Sequence, residues 1–295
     1  MKSITDLLKS SLIIPGDTRF AYRDPAALYH DGLIYLFFTL VETEPNGEVR
    51  MYVAQSDSHD LVNWSKPRKL TVRDPSKNFS SPGNIIYTGG RYIMCMQTYC
   101  RENGEKYGNA NCRVYFAESI DLENWSEPYP VLLKGDHVPL GECGRMIDPY
   151  LIYKEEKKLW FCFFKQNGIS FSSSPDLVHW HFRGRIDGGE NVTVIRDGGE
   201  YIMFHSPANG IGVKRSADLV NWRDFGDVLT FGQSDWSWAQ GRLTAGNAIS
   251  VPDGSDKLWL MFFHGCGPED ESVNFDINCS IGIAWSRDLV NWEWR

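Results

Sequence analysis

The chain has 295 residues, of which 42% are hydrophobic and 23% are charged, so it can bury a core and does not have the composition of a disordered protein. Its formal net charge of −8 argues against nucleic acid and anionic membranes as partners and suits a neutral ligand. The seven cysteines form no CxxC pair and no zinc-ligand spacing, and no apolar stretch resembles a secretory signal or a membrane span. An odd number of cysteines without a disulfide framework suits a reducing compartment, so the sequence predicts a soluble, cytoplasmic protein.

A short motif that ends in tryptophan occurs five times along the chain. Its copies read SDSHDLVNWS, ESIDLENWSE, SSPDLVHWHF, RSADLVNWRD and WSRDLVNWEW, with the tryptophans at Trp64, Trp125, Trp180, Trp222 and Trp292. A repeat that spans the whole chain indicates a repeat architecture. We interpret each copy as a turn before the outer strand of a small sheet, with the tryptophan between neighbouring sheets. The sequence therefore predicts an all-β, five-bladed β-propeller, with residues 1–295 as a single domain.

Each repeat begins with a predicted hairpin of two apolar strands that form the inner part of a blade. The hairpins read RDPAALYHDGLIYLFF, SPGNIIYTGGRYIMCM, IDPYLIYKEEKKLWFCFF, ENVTVIRDGGEYIMF and GNAISVPDGSDKLWLMFF. Their turns contain glycine or charged residues, and their strands are too apolar to have one face in water. No helical period of comparable strength occurs. The blades are predicted to open near residues 24, 82, 148, 190 and 246.

Carboxylates occupy three of the five predicted blade openings. The first and fourth hairpins align without a gap and superimpose Asp24 on Glu190, and the third hairpin has Asp148 at the same offset. The corresponding positions in blades two and five are Pro82 and Gly246. Since inner strands line the axis of a propeller, the three acids should meet at one mouth of the channel. Asp before Pro is also a common turn device, but Glu190 has no following proline, and three converging like charges cost stability unless they are used.

Such a carboxylate cluster indicates glycosidic bond cleavage. One protonated carboxyl donates to the leaving oxygen, and an ionised carboxylate acts on the opposite face of the sugar. The two groups lie roughly 6.5–9.5 Å apart if the second one activates water and about 5–5.5 Å apart if it attacks directly. A third carboxylate would raise the pKa of the acid by like-charge repulsion. The sequence contains no phosphate-binding loop, nucleophile elbow or HExxH motif.

The five-blade pattern, RDP in blade one, IDP in blade three and ENVTVIRDGGEYIMFHS in blade four resemble glycoside hydrolase family 43. The resemblance implies an inverting mechanism without a nucleotide or redox cofactor. It also implies that Asp24 is the base that activates water, that Asp148 tunes and orients the acid, and that Glu190 is the general acid. A retaining fructosidase is disfavoured because RDP here opens the first blade. The resemblance places His264 near the axis, either beside a structural calcium ion or as a buried, hydrogen-bonded histidine.

The walls of the pocket should come from loops at the same mouth. Candidates for substrate binding precede the predicted inner strands or begin the fifth one. The two tryptophans of the loop GQSDWSWAQGR could stack on a sugar face, although packing between blades is an even alternative. Glu142 and Arg242 are weaker candidates. The predicted substrate-binding residues are Arg19, Tyr22, Arg145, Trp236, Trp238 and Asn247.

These observations predict an inverting, exo-acting glycosidase that removes pentofuranosyl, xylosyl or related residues from short oligosaccharides. One alternative is a carbohydrate-binding propeller without catalytic activity. Another is a phosphorolytic relative, which would need a cationic cluster near Asp24, and the sequence offers Arg19, Arg23 and Arg145 for it. No partner other than an oligosaccharide is expected, and the sequence does not indicate an oligomeric state.

Overall fold

The computed structural model describes residues 3–295, which form five antiparallel sheets with the strand order expected of propeller blades. The predicted all-β, five-bladed propeller is confirmed. The strands of the first two blades are β2 (Phe20–His30), β3 (Leu33–Thr43), β4 (Val49–Ser58) and β5 (Arg68–Lys69), then β6 (Phe79–Thr88), β7 (Arg91–Thr98), β8 (Val114–Ser119) and β9 (Tyr129–Pro130). Blades three and four contain β10 (Ile147–Lys154), β11 (Leu159–Lys165), β12 (Ile169–Ser174) and β13 (His181–Ile186), then β14 (Glu190–Asp197), β15 (Glu200–Ser206), β16 (Gly212–Ser216) and β17 (Arg223–Asp224).

The fifth blade combines both ends of the described chain. Its strands are β18 (Arg242–Asp253), β19 (Asp256–Cys266), β20 (Cys279–Ser286) and β21 (Trp292–Glu293), together with β1 (Leu12–Ile14). Strand β1 pairs with β20, and the backbone N–H of Ser11 donates to the carbonyl of Arg295. The first strand therefore closes the ring by completing the last blade.

Short helices occupy only a few connections. The α-helix α1 (Glu271–Asn274) lies in the loop between β19 and β20. Single 3-10 turns cover Ile4–Leu7, Leu140–Glu142, Glu155–Lys157 and Gln233–Asp235. None of the helices in residues 3–295 has the length and apolar character needed to cross a bilayer.

The tryptophan motifs form the predicted turns between the third and outer strands. In the third blade, Asp176 accepts hydrogen bonds from the backbone N–H groups of Val178 and His179. Trp180 Nε1 donates to the carbonyl of Leu177, and its ring packs edge-to-face against Phe116 of the preceding blade. The same packing joins each of the other four tryptophans to a phenylalanine of a neighbouring blade. The repeated motif thus supplies both the turn and the contact between blades.

Cysteine pairing differs from the prediction. Cys95 and Cys162 are buried thiols, as expected. Cys266 and Cys279, however, face each other across β19 and β20 and form a disulfide that closes the loop containing α1. The expectation of no disulfide was wrong because the partners lie 13 residues apart, with no local motif, and only the strand pairing brings them together. The redox argument for a cytoplasmic protein loses its support, since disulfides persist mainly in oxidising compartments.

Every inner strand contains a bulge at the same end of the channel. The strand register is interrupted there in all five blades, and one residue of each bulge has a positive φ between 43° and 57°. These residues are Asp24, Ser81, Asp148, Asn191 and Ala245. The ring positions are therefore Ser81, Asn191 and Ala245 where the sequence alignment placed Pro82, Glu190 and Gly246. Each of those three assignments was wrong by one residue, while Asp24 and Asp148 are equivalent as predicted.

Candidate active site

A cavity of about 350 Å³ opens at the bulged end of the channel. All three predicted acids, Asp24, Asp148 and Glu190, line it. Glu190 reaches it although it precedes the ring position of blade four, because it begins β14 beside the bulge. The structure therefore brings together the carboxylates that the sequence singled out.

Asp24 is held by donors that favour its ionised form. Its Oδ2 accepts a hydrogen bond of 2.9 Å from Thr39 Oγ1, and its Oδ1 accepts one of 3.3 Å from Asn191 Nδ2. Burial raises the pKa of Asp24 above its ordinary value, and the adjacent Arg23 and the Thr39 hydroxyl offset only part of that rise. Both oxygens thus have a neutral donor, and the side chain retains 16% exposure towards the cavity. This is a suitable environment for a carboxylate that accepts a proton from water.

Asp148 lies deeper and holds a proton at neutral pH. Burial, and then the nearby charges of Glu190 and Asp24, raise the pKa of Asp148 to about 8. Its Oδ1 accepts a hydrogen bond of 2.8 Å from Ser81 Oγ, and its backbone N–H donates to Gln97 Oε1. Two strands of the preceding blade, β6 and β7, therefore hold Asp148 in place.

Glu190 belongs to a chain of alternating charges along the cavity wall. Arg242 Nη2 donates to Glu190 Oε1 at 2.8 Å, and Arg242 Nη1 donates to Glu271 Oε2. Arg23 Nη2 donates to the other oxygen of Glu271 at 2.6 Å. Although burial raises the pKa of Glu271, the two arginines hold it below its ordinary value. Helix α1 thus supplies the carboxylate that links two arginines, one of which orients Glu190.

An aromatic wall and one arginine complete the cavity. Tyr107 meets Phe275 edge-to-face at 4.8 Å, and Tyr99 stacks on Phe275 at 6.1 Å. Arg145 Nε donates to the carbonyl of Gly108, and Arg145 makes no ion pair within residues 3–295. Sequence reasoning identified Arg145 but missed the three aromatic residues and Glu271. All four lie in the loops between the second and third strands of blades two and five, which contain no repeated motif.

Four predicted binding residues do not line the cavity. Arg19 is 62% exposed and pairs with Glu42, and Tyr22 packs edge-to-face against Phe38 in the core. Trp236 and Trp238 stack on each other at 5.2 Å and on Phe263 within a core cluster. The prediction that these four side chains lie at the mouth of the pocket was wrong. The two tryptophans pack against the core cluster between blades four and five, and packing between blades is the alternative that the sequence left open.

Asn247 is also absent from the cavity wall. Its Oδ1 accepts from the backbone N–H of Ala27, and its Nδ2 donates to Thr193 Oγ1 at 3.3 Å. With 4% exposure, this side chain joins the inner strands of three blades. Asn247 therefore holds the inner strands together, and the prediction that it contacts substrate is not supported.

His264 lies beside the site, but its surroundings do not fit a divalent cation. His264, Cys266 and Glu271 offer a nitrogen, a sulfur and an oxygen within 4.8 Å of one another. The sulfur is part of a disulfide, and Glu271 is already paired with two arginines. The backbone N–H of Asp24 donates to His264 Nδ1, so the ring proton must be on Nε2, which then cannot ligate a metal. The expected calcium ion is not supported by this donor set.

The description "Glycosyl hydrolases family 32 N-terminal domain" belongs to a family profile that matches residues 22–196, more than half of the chain. The chain belongs to this family. It is a glycoside hydrolase of the five-bladed propeller type. The match covers the first three blades and most of β14, and so includes Asp24, Asp148 and Glu190. The resemblance seen in the sequence is thus confirmed for the five-bladed glycosidases, with family 32 as the matching profile.

Solved structures of other five-bladed glycosidases share the fold. The catalytic domain of a family 62 α-L-arabinofuranosidase from Coprinopsis cinerea is 14% identical, with a TM-score of 0.66 over 96% of this chain and 99% of that one. An exo-1,5-α-L-arabinanase from a bovine ruminal metagenomic library is 16% identical, with a TM-score of 0.63 over 96% and 98%. A family 43 enzyme from Xanthomonas citri, solved with xylose, is 13% identical, with a TM-score of 0.62 over 96% and 91%. No curated protein sequence matches the chain.

Proposed function

We propose that this glycoside hydrolase inverts the anomeric centre, with Asp24 as the base that activates water and Glu190 as the general acid. The observation that carries the proposal is the convergence of three carboxylates, from three inner strands, on one cavity. Two of them are positioned for different tasks. Asp24 is hydrogen-bonded by Thr39 and Asn191 in a way that favours its ionised form, whereas Glu190 stands at the wall of the cavity next to Arg242.

Asp148 supplies the protonated carboxyl of the site in the free protein. The three carboxylates form a set that holds a proton at neutral pH on Asp148, because burial and the nearby charges of Glu190 and Asp24 raise the pKa of Asp148 to about 8. Glu190 must carry a proton in the substrate complex to act as an acid. In this proposal the leaving oxygen competes with Arg242 for Glu190, and the proton of the set moves towards Glu190. Asp148 then acts as a positioning and charge-setting residue.

The proposed substrate is a short oligosaccharide with a terminal pentofuranosyl, xylosyl or related residue. The names of the structural neighbours, an arabinofuranosidase, an exo-arabinanase and a β-xylosidase, support this substrate class. The cavity also suits a sugar ring, because Tyr99, Tyr107 and Phe275 line it together with carboxylates and arginines. Phosphorolysis is a second candidate, favoured by the open guanidinium of Arg145, although Arg23 and Arg242 are already neutralised.

Two measurements test the mechanism. Proton NMR of the first-formed sugar should show the inverted anomer, whereas a retained anomer would make Asp24 a nucleophile and reject the water-activating role. Glu190→Gln should slow hydrolysis of substrates with poor leaving groups by roughly 10²–10⁴-fold and affect activated aryl glycosides much less. Equal turnover of both substrate types by this variant would remove Glu190 as the acid. Running the reactions with and without phosphate separates hydrolysis from phosphorolysis.

A further inference from the structure

A second cavity adjoins the active site in the groove between blades three and four. Its volume is about 470 Å³, and its walls come from the end of β11, the residues before β14 and the residues after β15. Glu190 and Arg242 line both cavities. The carboxyl of Glu190 therefore stands at the boundary between them, with Asp24 and Asp148 on one side only.

The position of Glu190 assigns a chemical role to each side. A general acid must lie within hydrogen-bond reach of the oxygen that leaves with the aglycone. The sugar that is attacked has to occupy the cavity of Asp24, because the base acts there. The group that departs then lies beyond Glu190, which is where the second cavity begins.

The second cavity offers donors for a polar leaving group. The side chain of Lys165, at the end of β11, has no ion-pair or hydrogen-bond partner within residues 3–295. His205 Nδ1 accepts from the backbone N–H of Gly189, which leaves the ring proton on Nε2. Burial, together with Lys214, lowers the pKa of His205 to about 4, so the ring is a neutral donor at pH 7. Pro207 and Ala208 form the apolar part of the wall.

We propose that this cavity binds the leaving group, and that Lys165 and His205 select a sugar there by donating to its oxygens. The substrate class is thus a disaccharide or longer oligosaccharide and not a glycoside of a small apolar alcohol. The inference rests on the proposed role of Glu190. Lys165 and His205 are specificity residues in this account and take no part in the bond cleavage at the anomeric carbon.

The test compares a disaccharide with an aryl glycoside of the same sugar, for example arabinobiose with para-nitrophenyl α-L-arabinofuranoside, and xylobiose with the corresponding β-D-xyloside. For each enzyme variant the ratio of kcat/KM for the disaccharide to kcat/KM for the aryl glycoside is measured. Lys165→Ala should lower this ratio about tenfold, since one charged hydrogen bond to a sugar oxygen is lost. Lys165→Arg, which keeps a donor, should lower it less. Lys157→Ala, an exposed lysine of the third hairpin turn, is the matched control and should leave the ratio unchanged.

An unchanged ratio in Lys165→Ala, with wild-type melting behaviour, would overturn the assignment of the cavity. An equal loss for both substrates would do the same, because it would place Lys165 at the attacked sugar. Failure of the underlying mechanism looks different. In that case Glu190→Gln would hydrolyse the disaccharide as fast as the wild type, whatever the behaviour of the Lys165 variants.

Discussion

The outer turns and the inner bulges of the propeller share one backbone feature but use it for different purposes. Each occurs five times, and each places a residue other than glycine at positive φ. In the outer turns that residue is always leucine, with φ between 63° and 67°. In the inner bulges it is Asp, Ser, Asp, Asn or Ala. The backbone is repeated in both regions, but the sequence is repeated only in the turns.

This difference follows from what the side chains do. The Asp of every outer turn accepts from the same backbone N–H groups, and the Trp of every turn packs against a neighbouring blade, so the same residues serve all five copies. The inner bulges all face one shared cavity from five directions, and a shared cavity needs different groups from different blades. Ser81 donates to Asp148, and Asn191 donates to Asp24, so even the bulges without a carboxylate support those that have one.

The outer turns should dominate stability. Trp180 is 1% exposed and packs against Phe116, so Trp180→Ala should lower the free energy of unfolding by about 3–5 kcal/mol through the cavity it leaves. Urea unfolding measures this loss. Trp294→Ala is the control, because Trp294 is 43% exposed and is not the repeated tryptophan of its motif, which is Trp292. Similar small losses for both variants would show that the turns do not hold neighbouring blades together.

At the inner bulges, the buried carboxyl of Asp148 should instead lower the free energy of unfolding at neutral pH. Asp148 keeps its proton up to about pH 8 when folded and only to about pH 4 when unfolded. Between these values the folded chain binds more protons, so the free energy of unfolding falls as the pH rises. Asp148→Asn cannot ionise and should match the wild type near pH 4 and exceed its stability by at least about 2 kcal/mol at pH 8. Parallel pH profiles of the two proteins would contradict the raised pKa of Asp148.

A smaller effect is expected for a single acceptor in an outer turn. Asp176→Ala leaves two backbone N–H groups without their acceptor and should destabilise the protein by about 1–2 kcal/mol. The exposed Asp187 of the next loop makes no such contact, and Asp187→Ala should leave the melting temperature unchanged. If Asp176→Ala also melts like the wild type, water replaces the acceptor and the repeated Asp is not needed for the turn.

The same contrast explains how far the sequence could be interpreted. The outer-turn motif is repeated because each copy packs in the same way. Its five copies therefore predicted the number of blades, and with it the fold. The acids Asp24 and Asp148 could be aligned because each lies five residues before a tyrosine of its strand, Tyr29 and Tyr153. Blade four was misaligned by one residue because its hairpin turn contains two glycines, Gly198 and Gly199, and Gly32 of blade one was matched to the first one. In the structure Gly32 corresponds to Gly199.

The residues that surround the acids in the cavity could not be predicted from the sequence. Arg23 and Glu271 are separated by 248 residues, and only ring closure brings them together. Tyr107 and Phe275 lie on loops of different blades with no pattern in common. The polar neighbours of Trp236 and Trp238 in the sequence suggested that these side chains stack on a sugar. In the structure both pack against a core cluster.

We propose that the bulged ends of the inner strands form a hydrolytic site around Asp24. The most direct test is to incubate the wild type and Asp24→Asn with aryl α-L-arabinofuranosides, β-D-xylosides, β-D-galactofuranosides and β-D-fructofuranosides. We expect the wild type to release the aryl group from at least one substrate. Asp24→Asn should lose at least roughly 10³-fold of this activity at an unchanged melting temperature. Release that persists in a folded Asp24→Asn protein would show that Asp24 is not the base.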